Sequence, residues 1–148
     1  MKNTVSFRQA QPQDFEFCRR LYFEGMDWIM KRLQLDMKRQ NESFVNQWKA
    51  TEVRIIAVAG EDAGWLQVTQ ADDSFFLGQL YLEKLFQGQG IGSYVVQFLI
   101  NEARQERKAI ALGVVKINPA RRLYERLGFK ITHEDQYKVY MRRESDAC

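Results

Sequence analysis

The sequence predicts one domain of mixed α/β (α+β) class, and three observations support this. Strand-like apolar or alternating segments are interleaved with stretches of helical spacing, in the order strand, helices, three strands, helix, strand, helix, two strands. The chain of 148 residues, 45% of them hydrophobic, is long enough for one sizeable core. No repeat, low-complexity tract or linker divides it, so residues 1–148 are expected to form a single domain.

The first half predicts a strand, a helical region and a three-stranded meander. Residues 4–10 (TVSFRQA) alternate apolar and polar side chains, as a short strand does. Residues 11–40 carry helical spacing, with Pro12 in a first turn and Gly25 dividing or kinking the helix. Residues 42–50 (ESFVNQWKA) add a further turn or two of helix. The meander strands are expected at 52–60, 64–70 and 75–85, with turns around Glu61 and Asp62 and at 71–74.

The second half predicts a long helix, a buried strand, a short helix and a hairpin. An apolar stripe marks the face by which the long helix packs, and its members are Ile91, Val95, Phe98, Leu99 and Ala103. Residues 109–115 (AIALGVV) form the buried strand, and the short helix over 119–128 ends at Gly128. Residues 129–135 and 137–143 close the chain as a hairpin. The long helix is the one crossover between antiparallel pairs.

Composition excludes several classes of protein. No apolar run is long enough to span a bilayer and no secretory signal begins the chain, which predicts a cytoplasmic protein without membrane contact. Cys18 and Cys148 lie too far apart for a disulfide framework or metal-ligand spacing, and a single histidine argues against a metal site. The net charge of +3 is too small to indicate nucleic-acid binding.

Three glycines stand directly before the long helix, in QGQGIG (Gln87–Gly92). The first amides of a helix have no internal acceptors and carry partial positive charge, which favours an anion. Glycine removes the Cβ that would keep a phosphate away from those amides. The stretch lacks the Gly-Lys-Ser/Thr of a nucleotide loop and the spacing of a dinucleotide fingerprint. A tight turn that packs helix on sheet remains the alternative to a phosphate site.

A second motif, NPARRLYERLGF (Asn118–Phe129), follows one strand later, and the two motifs together resemble the GNAT superfamily of acyl-CoA N-acyltransferases. That family's Gln/Arg-x-x-Gly-x-Gly/Ala signature is matched by Gln87, Gly90 and Gly92. Its later element is matched by Asn118, Ala120, Leu123, Tyr124, Gly128 and Phe129. The resemblance extends from Val5 to Arg142 and implies a central, mostly antiparallel sheet of six to seven strands flanked by helices, with one splayed strand pair.

The resemblance implies that acetyl-CoA binds as acyl donor, without a metal, where the strands GQLYL and AIALGVV splay apart. The pantetheine arm would pair with backbone of the first strand, at Leu80, Tyr81 and Leu82. An N–H near Leu82 would polarise the thioester carbonyl. The pyrophosphate would sit on the amides that run from Gly88 to Ser93, which are those of Gly88, Gln89, Gly90, Ile91, Gly92 and Ser93.

The resemblance also gives roles to three residues of the second motif, each with an alternative. Tyr124 matches the general acid that protonates the CoA thiolate, or else only packs and donates a structural hydrogen bond. Asn118 contacts the cofactor or caps the short helix, since Pro119 makes its spacing to Tyr124 one residue shorter than usual. Arg121 and Arg122 reach the 3′-phosphate of CoA or remain solvated.

The acceptor amine is expected to lie against the first helices and the final hairpin. Tyr22, Glu24, Asp27 and Trp28 would form an acidic and aromatic wall suited to a cationic amine, or else be ordinary core and surface residues. No general base is evident. In the family that the chain resembles, some members carry a carboxylate on the strand that Gly113 occupies here and others near Phe76. Neither position is acidic in this sequence, and Glu83 is the nearest carboxylate.

Three functions therefore compete. The first is an N-acetyltransferase that moves acetyl from acetyl-CoA to a primary amine of a small molecule or protein by direct attack. The second is a non-catalytic acyl-CoA sensor, which the missing base favours and Tyr124 opposes. The third is a nucleic-acid binder using the basic segment from Arg104 to Lys130, which leaves the glycines unexplained. Exposed sheet edges leave room for a homodimer.

Overall fold

The computed structural model describes residues 4–146 and contains the elements in the order that the sequence predicts. The strands are β1 Val5–Gln9, β2 Val53–Val58, β3 Glu61–Gln70, β4 Ser74–Leu82, β5 Ala109–Val115, β6 Lys130–Glu134 and β7 Lys138–Arg143. The α-helices are α1 Phe15–Arg32, α2 Met37–Gln47, α3 Ile91–Gln105 and α4 Arg121–Arg126. Short 3₁₀ turns span Pro12–Asp14, Ala50–Glu52 and Lys84–Phe86.

The strands form one seven-stranded mixed sheet in the order β1-β2-β3-β4-β5-β7-β6, which confirms the predicted fold class. The pairs β1–β2, β2–β3, β5–β7 and β6–β7 are antiparallel. The pair β4–β5 is parallel, as the crossover through α3 requires. Its register runs only from Ser74 opposite Ala109 to Leu77 opposite Leu112, although β4 continues to Leu82 and β5 to Val115. This is the splayed pair.

The chain forms two compact units. The first contains the residues up to Gln67 together with Gln79–Gln89. Its core joins α1 and α2 to the strands through buried apolar side chains, among them Cys18, Leu21, Phe44, Ile55 and Trp65. Burial raises the pKa of the Cys18 thiol to about 12, so this cysteine is an unreactive core residue. Cys148 lies outside the described residues.

The second unit contains Val68–Gly78 and the chain from Gly90 onward. Here α3 packs on β5 through a face that is buried at Ile91, Val95, Val96, Leu99, Ile100 and Ala103. The predicted stripe was wrong at Phe98, which is 37% exposed. Buried positions at spacings of three and four continue through Val96 and Ile100, so the apolar stripe is wider than expected on the side away from Phe98.

Two local predictions in the first unit were wrong. Gly25 does not divide the helix, because α1 runs unbroken through it. A Cβ on Gly25 would lie 2.9 Å from Cδ1 of Tyr81, so this glycine allows the helix to approach that ring. The turn between β2 and β3 lies at Ala59 and Gly60, both with positive φ, whereas Glu61 and Asp62 already belong to β3.

None of the helices within residues 4–146 has the length and apolar character needed to cross a membrane.

Candidate acyl-CoA site

The glycine-rich loop between β4 and α3 reverses the chain through two left-handed residues. Gly88 has φ +74° and Gly90 has φ +82°. Side chains with a Cβ are strained in this region, so both positions favour glycine for the backbone alone. Gly90 is also the N-cap of α3, and no side-chain cap bond serves the helix start within the described chain.

The two glutamines of the loop fasten its shape with their side-chain amides. Nε2 of Gln87 donates to the carbonyl oxygen of Leu82 at 3.0 Å. Nε2 of Gln89 donates to the carbonyl oxygen of Leu85 at 2.9 Å. Because these bonds tie the loop back to the end of β4 and to the 3₁₀ turn that follows it, the glutamine side chains support the loop. An anion at this loop would therefore contact the backbone N–H groups of the loop.

The first turn of α3 presents free amides. The first intrahelical bond runs from the N–H of Tyr94 to the carbonyl oxygen of Gly90 at 3.0 Å, so the N–H groups of Ile91, Gly92 and Ser93 precede the helical ladder. The first turn holds no acidic residue that would compete with an anion. Gly92 requires no special torsion, and a Cβ there would meet only Cδ2 of Leu123, at 4.0 Å. Because neither backbone torsion nor packing requires glycine at position 92, we interpret Gly92 as leaving room for a ligand at these amides.

The end of β4 exposes main-chain groups to a ligand, because its largest side chain, that of Tyr81, packs into the aromatic core. The ring of Tyr81 lies 5.8 Å from the ring of Trp65 and 5.5 Å from that of Tyr22. A Cβ on Gly64 would collide with the carbonyl oxygen of Tyr81, so β3 approaches this backbone closely. Leu80, Tyr81 and Leu82 are each half-buried. A pantetheine arm at this stretch would therefore meet main chain and the flanking leucines.

Tyr124 on α4 is a buried phenol whose hydroxyl has no partner. Its side chain is only 9% exposed, and its ring packs edge-on against Phe129 at 5.8 Å. Within residues 4–146 the hydroxyl makes no hydrogen bond. Burial raises its pKa to about 12, so the phenol remains protonated throughout the neutral range. A protonated hydroxyl on a buried ring, with no hydrogen bond among the described residues, is suited to an acceptor supplied by a ligand.

Asn118 and Arg121 border one cavity of about 420 Å³ in the second unit. Oδ1 of Asn118 accepts the N–H of Ala120 at 3.0 Å, which supports the capping role. The Arg121 guanidinium lies 3.8 Å from the Glu125 carboxylate, a long and partly exposed pair. Arg122 borders the same cavity and is exposed, with no ion pair among the described residues. The cavity is therefore cationic on balance, which suits a phosphate.

The four residues expected at the acceptor all lie on α1, but their side chains are engaged separately. The Tyr22 ring packs on Phe44 at 4.9 Å, and burial raises its pKa. Glu24 is paired with Arg20 at 3.3 Å and Asp27 with Lys31 at 3.0 Å, each one helical turn apart. Trp28 is 43% exposed. The structure thus brings Tyr22 into the aromatic core and does not join the two carboxylates to it.

One feature near the expected site escaped the sequence analysis. Gly113 pairs across the ladder with Tyr140 of β7. A Cβ on Gly113 would lie 2.9 Å from Cε1 of that ring. The ring therefore occupies the space that a side chain at position 113 would need. No local pattern signals this contact, because it depends on the register of two strands distant in sequence.

Comparisons with known proteins bear on the family and the fold of the chain. The sequence profile of the Acetyltransferase (GNAT) domain matches residues 50–131, more than half of the chain. No curated protein sequence matches the chain.

Three solved structures illustrate the fold. Ard1 from Thermoplasma volcanium is 17% identical, with a TM-score of 0.67 over 96% of this chain and 98% of its own. A GNAT-family acetyltransferase from Listeria monocytogenes is 17% identical, with a TM-score of 0.66 over 95% and 94%. PaiA N-acetyltransferase from Thermoplasma acidophilum, solved with coenzyme A, is 15% identical, with a TM-score of 0.68 over 95% and 98%. The domain match and the shared fold together show that the chain belongs to the GNAT acetyltransferase family.

Proposed function

We propose that the whole chain acts as one N-acyltransferase domain that transfers acetyl from acetyl-CoA to a primary amine of a small molecule or protein. The observation that carries this proposal is the hydroxyl of Tyr124, which stands on a buried ring and makes no hydrogen bond within residues 4–146, because a protein that only senses acyl-CoA has no need of a hydrogen-bond donor for a leaving thiolate. Family membership and the CoA-bound PaiA structure support acetyl-CoA as donor.

Each part of the donor has residues of matching chemistry. The amides from Gly88 to Ser93 would hold the pyrophosphate, since Gly92 leaves that turn of α3 open. Backbone of Leu80–Leu82 would pair with the pantetheine arm, and the N–H of Leu82 would donate to the thioester oxygen as it gains negative charge. Asn118 would order the loop beside Arg121, which with Arg122 would attract the 3′-phosphate.

The amine nitrogen would attack the thioester carbonyl directly, forming the C–N bond as the C–S bond breaks. Tyr124 would donate its hydroxyl proton toward the departing sulfur. An ordinary thiol has a pKa of about 8.5. The pKa of Tyr124 is about 12, so complete proton transfer to the thiolate is uphill. We therefore infer that Tyr124 stabilises the leaving thiolate through a strong hydrogen bond, and that water completes its protonation.

The proton released by the amine would pass to water. Glu83 is a poor base, because both carboxylate oxygens accept from the Arg20 guanidinium, at 3.1 and 3.0 Å. These hydrogen bonds hold the pKa of Glu83 below its ordinary value. Gly113 carries no side chain, and Tyr140 fills its space.

Glu83→Gln tests this assignment. We expect kcat to stay within about threefold of the wild type, whereas removing a general base costs about 10²–10⁴-fold. The Arg20–Glu83 pair is partly exposed, so the free energy of unfolding should fall by no more than about 1 kcal/mol. The measurement is steady-state release of CoA thiol with one amine, beside a denaturant titration. A hundredfold loss of kcat at unchanged acetyl-CoA affinity would make Glu83 the base.

The function itself is tested by incubating the protein with acetyl-CoA and panels of polyamines, amino acids, aminoglycosides and lysine peptides. We expect mass spectrometry to find an acetylated amine, with CoA thiol released in equal amount. The Tyr124→Phe variant is the control for uncatalysed acetylation. Tight binding of CoA without transfer to any amine would instead support the acyl-CoA sensor.

A further inference from the structure

The face of the second unit's sheet that points away from α3 carries small residues where the β4–β5 pairing ends. Along β5, Ile110, Leu112 and Val114 are buried on the α3 side. The residues between them, Ala111 and Gly113, are half-exposed and small. On β4 the exposed Gly78 follows Leu77, the last residue in register with β5. Gly78 and Gly113 therefore lie where the pairing of β4 with β5 ends, and the Tyr140 ring covers the space beside Gly113.

Two aromatic side chains border this region. Phe76 lies opposite Ala111 in the ladder and is 41% exposed. Tyr140 lies opposite Gly113, and its Cε1 and Cδ1 would be 2.9 and 3.1 Å from a Cβ at that position. A ligand that reaches the opening from this face must therefore pass along the edge of the Tyr140 ring.

The Tyr140 ring is held in place from two directions. Its hydroxyl donates to Oδ2 of Asp135 at 3.0 Å, and Oδ1 of Asp135 accepts the N–H groups of Tyr137 and Lys138 at 2.9 and 2.8 Å. These backbone bonds keep Asp135 ionised by lowering its pKa. The His133 ring stacks on Tyr140 with centroids 4.5 Å apart and planes 9° apart. The hydroxyl bond to Asp135 and the stacking on His133 therefore hold the Tyr140 ring in one position.

We propose that Tyr140 sets the acceptor specificity, admitting primary amines on an unbranched carbon and excluding those with a branch beside the nitrogen. This rests on the proposed function, which places the thioester at the opening of the splayed pair. In that proposal the pyrophosphate lies at the start of α3 and the sulfur beside Tyr124 of α4, so we place the amine on the opposite, glycine-bearing face. The Tyr140 ring already fills the space beside Gly113, so we expect a methyl group on the amine carbon to clash with the ring edge where an unbranched chain does not.

The test compares butylamine with sec-butylamine, which differ only in where the carbon chain branches. The best acceptor from the panel is compared with its α-methyl analogue in the same way. We expect the wild type to favour the unbranched amine in kcat/KM by about 10-fold or more, the usual effect of one misplaced carbon. Tyr140→Ala should lower that ratio at least about fivefold, and Tyr140→Leu should lower it partly, with the KM for acetyl-CoA unchanged.

Tyr140→Phe is the matched control, because it keeps the ring and removes only the bond to Asp135. Its preference for the unbranched amine should equal that of the wild type. If Tyr140→Ala does not fold, Tyr140→Leu carries the test, since leucine keeps an apolar side chain in β7. A wild-type ratio near one, or a ratio that no substitution of the ring alters, would overturn the inference. A wild type that transfers acetyl to no amine would refute the proposed function beneath it.

Discussion

Gly92→Glu is expected to raise the stability of the protein while removing its affinity for acetyl-CoA. Gly92 is the second residue of α3, with no positive φ, and a Cβ there would have only an ordinary contact at 4.0 Å. Glutamate gains about 0.5–1 kcal/mol of helix propensity over glycine. Its charge near the positive helix end adds about 0.3–1 kcal/mol. The free energy of unfolding should therefore rise by about 1 kcal/mol.

The same carboxylate stands where the diphosphate is expected, and it would repel the phosphate charge and block the amides of the first turn. Charge-assisted hydrogen bonds contribute about 1.5–3 kcal/mol each, so loss of two should weaken binding at least about 10²-fold. Calorimetric titration with acetyl-CoA measures the affinity, and denaturant unfolding of the free protein measures the stability.

Gln97→Glu is the matched charge control, since it adds a carboxylate to an exposed position of the same helix, roughly 7.5 Å further along the axis. Solvent screens a charge at that distance, and the affinity should stay within about threefold of the wild type. Gly92→Ala separates bulk from charge, with a smaller loss of affinity. Normal binding of acetyl-CoA by Gly92→Glu would remove the phosphate site from this helix start.

Tyr124→Phe is expected to lower kcat by about 10²-fold while leaving acetyl-CoA affinity within about threefold. The hydroxyl acts on a charge that develops as the thioester breaks, so it contributes to the transition state more than to the bound ground state. It has no partner within residues 4–146, so its loss leaves no broken bond in the free protein. The free energy of unfolding should therefore stay close to that of the wild type.

Single-turnover kinetics and calorimetry separate the chemical step from binding for this variant. Since burial raises the pKa of Tyr124 to about 12, the group stays protonated and should cause no loss of rate between neutral pH and about 11. Phe129→Leu, which alters the packing beside Tyr124 and keeps the phenol, serves as the control for displacement of the ring. A kcat that does not change in Tyr124→Phe would show that the residue only packs.

The order and type of the elements were predictable because local patterns carry them. The strand over 109–115 matches β5 at both ends, and the glycine loop and Gly128 mark the helix ends that the structure shows. Gly25 was misread because its local signal is that of a helix breaker, whereas a ring distant in sequence explains it. Contacts such as Arg20 with Glu83, 63 positions apart, depend on tertiary packing that no local pattern records.

The position of Tyr81 limits how this enzyme can be diversified. Its ring meets Gly25 of α1, and its carbonyl meets Gly64 of β3, each more closely than a methyl group would allow. Suppose that α1 is randomised to obtain variants that accept new amines. Most variants with a substitution at position 25 would then misfold, and they would be lost before selection for a new substrate. Directed evolution should keep both glycines and vary the final hairpin instead.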